Sequence, residues 1–170
     1  MRGRILQENK ETNVNWNDDV HGRTALHWAS LLGYHKIVTL LLAHPNIDVN
    51  PRCVYGSTPF MMTSRNGMTR CIQLLLQDPK VKPNLPDSDG SSPLWYAARE
   101  GHVEVIKRWI ASGREMDLGE LGKEKIDAID AAKNPKRAWL EGEEKFAMRK
   151  RNCPRVVSLL ERFRDRRGIR

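Results

Sequence analysis

Three stretches of the chain carry apolar side chains at i, i+1, i+4 and i+5, the spacing of one buried helix face. They are Ile37, Val38, Leu41 and Leu42; Cys71, Ile72, Leu75 and Leu76; and Val105, Ile106, Trp109 and Ile110. A shorter apolar block precedes each: TALHWA from Thr24, TPFMMT from Thr58 and SPLWYA from Ser92. Thr24, Thr58 and Ser92 can each accept a backbone N–H as a helix N-cap. Pro59 and Pro93 follow at the first helical position, where a missing N–H costs nothing. Gly33, Gly67 and Gly101 then fall where the first helix must stop and reverse. The pattern predicts three helix pairs and no strand of any length.

The pairs are copies of one unit. The string GRTALHWASLLGYHKIVTLLL from Gly22 returns as GSTPFMMTSRNGMTRCIQLLL from Gly56 and as GSSPLWYAAREGHVEVIKRWI from Gly90, both at an interval of 34 residues. Gly22, Gly56 and Gly90 open the turn before each cap, and VN endings recur at Asn15 and Asn50, with Asn84 as a degraded third. A period near 33 with a TPLHxA core resembles the ankyrin-repeat family across most of the chain, TALHWA being the closest match. The resemblance implies an all-α solenoid of stacked helix-turn-helix repeats joined by hairpin-like loops.

In this frame residues 17–50, 51–84 and 85–118 are full repeats. Residues 119–165 form a degenerate capping repeat, with DAIDAA (127–132) as its first helix and CPRVVSLLERF (153–163) as its second. A basic insertion, about residues 134–152, separates the two, and residues 166–170 are a tail. Glu161 takes the place of Ile110, as suits a cap whose outer face meets water. Residues 1–16 read as the close of a preceding repeat's second helix, so the array is expected to start with half a repeat, its apolar edge either covered by a partner or left by truncation. Within the middle repeat, Thr63 and Ser64 replace small apolar residues and Met61 replaces the His of the block, so that repeat is expected to be the weakest.

Charge changes the picture only at one end. Residues 1–132 hold 16 basic and 16 acidic side chains, whereas residues 133–170 hold 13 and 5, so the whole excess of +8 is C-terminal. The longest apolar run, residues 37–43, is far below the roughly 18 residues of a membrane span, and residues 1–11 lack a signal-peptide core. Cys53, Cys71 and Cys153 stand at no zinc or redox spacing and read as packed, reduced thiols. An intracellular protein, cytoplasmic or nuclear, is expected.

No phosphate loop, dinucleotide fingerprint or HExxH pattern occurs, and none of the five histidines pairs at i, i+3 or i+4. Neither an enzyme nor a bound metal, cofactor or small-molecule substrate is expected. His27 reads as a residue that hydrogen-bonds the turn of its own or the next repeat. What the resemblance implies is binding of another protein by the concave face and the loop tips. By register, the tips are Asp19, Val20 and His21; Cys53, Val54 and Tyr55; and Asp87, Ser88 and Asp89. The concave row is Trp28, Met62 and Tyr96, flanked by Leu31 and Leu32, Arg65 and Asn66, and Arg99 and Glu100. Aromatic, Met and Arg side chains are the composition of interface hot spots, yet the same large residues could equally pack between repeats. The alternative function is contact with a polyanion, nucleic acid or anionic membrane, through the basic C-terminal segment with Trp139, Phe146 and Phe163.

Overall fold

The computed structural model describes residues 13–118, 127–135 and 142–167. Among these residues the regular structure is helical, with one isolated bridge between Asn17 and Thr24. The first repeat holds α1 (Ala25–Leu32) and α2 (His35–Leu42), the second α3 (Pro59–Asn66) and α4 (Thr69–Gln77), the third α5 (Pro93–Arg99) and α6 (Val103–Ala111). The cap holds α7 (Ala128–Lys133) and α8 (Glu143–Arg167). First helices form one layer and second helices the other, each pair packing on the next along the array.

The helix starts follow from their caps. The side chains of Thr24, Thr58 and Ser92 accept the backbone N–H of His27, Met61 and Trp95, and Asp127 does the same for Asp130. At the other end, Gly67 adopts φ 69°, and a Cβ built there would stand 2.7 Å from the Nδ1 of His102 in the following repeat. A side chain at that point would both strain the turn and part the two repeats. His102 completes the contact by bonding the Arg65 carbonyl at 3.0 Å.

Between the layers runs one continuous core of Leu26, Val38, Leu41, Phe60, Ile72, Leu75, Leu94, Ile106, Trp109, Val156 and Leu160. Phe60 meets Trp109 edge-on at 4.9 Å, tying the first helix of one repeat to the second helix of the next. The polar replacements in the middle repeat are satisfied: Thr63 and Ser64 both donate to the Phe60 carbonyl, at 2.7 and 2.9 Å. One predicted core position differs. Ile37 is 43% exposed where its counterparts Cys71 and Val105 are buried, because no described repeat stands in front of α2. The predicted half repeat before it falls mostly in residues 1–12, outside the described residues, as do residues 136–141 of the basic insertion.

Residues 143–152 of that insertion are helical. α8 starts directly after Gly142, with Glu143 and Glu144 in the first turn, where acidic side chains interact favourably with the helix dipole. By register Pro154 stands where the other second helices begin at His35, Thr69 and Val103, so residues 143–153 extend that helix backward by about three turns. The extension packs on the turn after α5. Arg149, 1% exposed, meets Glu100 at 3.3 Å, and Cys153 places its thiol under the carbonyls of Ala98 and Arg99. Burial pushes that thiol up to about 11. All three cysteines are free and buried.

Two buried imidazoles make the array sensitive to acid. Desolvation is the largest influence on both His27 and His102 and holds them below the ordinary value of 6.5. The unfolded chain therefore binds protons first as pH falls, so the stability present above pH 6.5 declines below it. Urea unfolding midpoints should be level between pH 7 and 8 and fall between pH 6.5 and 5. The His27→Gln, His102→Gln double variant should show a flatter decline over the same interval.

Candidate functional site

The loops before the first helices are three versions of one tight turn. In the second and third, Cys53 N donates to the Ser57 carbonyl and Asp87 N to the Ser91 carbonyl, while Gly56 and Gly90 close the turn from within. The first turn is one residue wider, with Asp18 N donating to Arg23 and Gly22 N to Asp18. The sequence carries this widening as seven residues from Asn15 to Gly22 against six from Asn50 to Gly56 and from Asn84 to Gly90. Asp18, and not Asp19, is consequently the partner of Cys53 and Asp87.

That correction exposes a shared device. The Asp18 carboxylate accepts the backbone N–H groups of Val20, His21 and Arg23, and then the indole N–H of Trp28 at 3.0 Å. These donors, that of His21 foremost, hold it below the usual carboxylate range. Asp87 accepts from the backbone of Asp89 and Ser91 and takes the Tyr96 hydroxyl at 2.8 Å. Burial first, and then this bond, pushes the phenol up to about 12. In both outer repeats a tip carboxylate thus fixes the aromatic ring of the helix that follows. The middle repeat has Cys53 and Met62 in these places, both buried.

Tips and first helices together enclose a groove of about 520 Å³. Of the residues predicted from sequence it gathers Leu31, Cys53, Val54, Tyr55, Met62, Arg65, Asn66, Asp87, Ser88, Asp89 and Tyr96, and it adds Arg23, Ser57 and Met61. Val20, His21, Trp28, Leu32, Arg99 and Glu100 lie outside its lining. Three expectations need correction. Met62 and Tyr96 are buried, the second because Asp87 draws its hydroxyl inward, so they form floor and not free contact surface. Glu100 faces the other way, to Arg149. The exposed apolar side chains include Val20, Val54 and Tyr55 on the loop tips, at 77%, 61% and 60%, and Leu32 at the end of α1, together with Trp16, Tyr34, Ile37, Leu40 and Met148.

His27 lies outside the lining; it receives the Thr24 N–H at Nδ1 and reaches the Ser57 carbonyl of the next repeat through Nε2 at 3.0 Å, as its position at the helix start predicts. No cluster of metal-ligating side chains occurs among the described residues.

The family model for ankyrin repeats (3 copies) matches residues 3–53 and 45–119, together well over half of the chain. The chain belongs to the ankyrin-repeat family. Ankyrin arrays are generally modules that bind other proteins, and typically not enzymes. No curated protein matches this sequence. The ankyrin match ends at residue 119, so α7 and α8 are placed in the array by their packing on the third repeat alone.

Tyr96→Phe removes the hydroxyl but leaves the ring. It strips a buried Asp87 of one donor and should cost about 1–3 kcal/mol in chemical denaturation while near-native helicity is kept. A cost near zero would mean that the bond to Asp87 is not formed in solution.

Proposed function

We propose that this ankyrin array binds another protein through its concave face and loop tips. The observation that carries the reading is the set of exposed apolar side chains on the loop tips. Val20 and Val54 stand 34 residues apart at equivalent tips, with Tyr55 beside the second, and all three are exposed in loops whose turns are closed by backbone hydrogen bonds. The fold has no use for them there, and large apolar groups presented on rigid loops are the usual anchors of a protein interface. Adjacent tips are linked, Val54 N donating to the His21 carbonyl and Ser88 N to the Tyr55 carbonyl, so the tips are presented already ordered. Preordered tips lower the entropy cost of binding.

No described helix is long and apolar enough to cross a membrane. Three free thiols suit a reducing compartment, and the reading places the protein inside the cell, in cytoplasm or nucleus. One feature supports a second reading, contact with a polyanion: α8 exposes Lys150, Arg151, Arg155, Arg162 and Arg166.

Capture from lysate, with nuclease and at moderate salt, separates the two. A protein retained by the intact chain should fall at least about tenfold with Val54→Asp, Tyr55→Ala, the loss expected when hot-spot anchors are removed. It should be retained unchanged by Arg151→Ala, Arg155→Ala. The opposite order of losses, or capture abolished by nuclease, overturns the concave-face reading.

A further inference from the structure

The concave face holds its arginines in an unusual way. The guanidinium of Arg23 lies over Trp28 at 4.7 Å from the ring centre, that of Arg65 over Tyr96 at 5.0 Å, and that of Arg99 over Trp95 at 5.1 Å. Arg65 and Arg99 are 34 residues apart, the same place in the last turn of α3 and α5. Arg23 and Arg65 line the groove itself. Among the described residues none of the three is in an ion pair.

Elsewhere five cations of the second helices and the C-terminal helices are matched by carboxylates, Arg164 among them with Asp165. Arg108 and Lys107 meet Glu104, Lys133 meets Asp130 and Glu161, and Arg149 meets Glu100. On the concave side the Asp18 and Asp87 carboxylates are committed to backbone N–H groups and to Trp28 and Tyr96. Stacking fixes the plane of a guanidinium without using any of its N–H donors. The terminal N–H groups remain at its edge as a planar fork, the shape that pairs with a carboxylate through two parallel hydrogen bonds, although the Nε of Arg23 is itself buried.

We infer that the partner segment received by this face is acidic, a peptide carrying Asp or Glu side chains for Arg23, Arg65 and Arg99 beside apolar side chains for Val54 and Tyr55. The inference rests on the concave-face reading and gives its partner a chemistry. Asp89, at the third tip, places the incoming carboxylates on the helix side of the groove, away from that tip. A continuous phosphate chain would have to pass Asp87 and Asp89 as well, which favours discrete carboxylates over nucleic acid.

The test is a selection of random dodecapeptides displayed on phage against the full chain. Parallel selections use Arg65→Gln, Arg99→Gln and Tyr55→Ala, each checked for native helicity by circular dichroism. Peptides selected on the intact chain should be enriched at least about twofold in Asp and Glu over the starting library. A synthetic copy of one should bind the arginine variant at least about tenfold more weakly, two charge-assisted contacts having been removed. Selected peptides without acidic enrichment, or acidic ones that bind the arginine variant equally, overturn the inference. If such neutral peptides are lost on Tyr55→Ala, the concave-face reading survives; if they are kept, or if nothing is selected, both fall. A single-stranded oligonucleotide bound as tightly as the acidic peptide, and through the same two arginines, overturns the choice of carboxylates.

Discussion

The array depends on one repeated pair of hydrogen bonds that crosses from each repeat to the next. Asn15 donates its side-chain amide to the Asn46 carbonyl and accepts the Asp48 N–H; Asn50 does the same with Lys80 and Lys82, and Asn84 with Glu115 and Asp117. An amide can both donate and accept from one side chain, and here each end grips the backbone some 30 residues ahead. A slip of one residue would break both bonds at once. The tip-to-tip bonds of Val54 and Ser88 have the same sense, so loops and helices advance together and the concave groove is continuous across three repeats.

In an array of this kind each repeat is held only by its neighbours. On the C-terminal side of the third repeat stand α7 and the long α8 in place of a regular helix pair. Val156 and Leu160 repeat the buried positions of Val105 and Trp109, while Arg149, Asn152 and Cys153 cover the turn around Gly101. Much of the basic charge that stands out in the composition belongs to this helix. Its most buried member, Arg149, is spent on Glu100 and on the ring of Phe146, at 5.7 Å, and is thus a structural residue.

Most of the helical layout was legible in the sequence because capping chemistry is local. Thr24, Thr58 and Ser92 with the prolines behind two of them need no tertiary information to announce a helix start. The buried rows of α4 and α6 followed from spacing for the same reason. Asn84 was underrated: judged by its Pro83 neighbour it looked degraded, yet the side chain makes the same two bonds as Asn50. The site was harder to read, since it depends on where side chains turn once repeats are stacked. Tyr96 has the residue type of an interface anchor, but only the fold brings Asp87 to its hydroxyl. A constant period of 34 also concealed the extra residue in the first tip, and with it the equivalence of Asp18 and Asp87. Arg23 drew no notice in the sequence, because its position has no arginine in the other repeats.

The same stacking connects scaffold to surface. Aromatic rings fixed by tip carboxylates become flat supports for guanidinium groups, and the tips that supply those carboxylates also carry the exposed Val20, Val54 and Tyr55. The central claim is that a partner is received between these tips and the first helices. Hydrogen exchange measured with and without the captured partner examines it most directly. Protection on binding is expected in the segments 19–23, 52–57 and 87–91 and at the C-terminal turns of α3 and α5. Protection confined to α8, with the tips unchanged, would contradict the account.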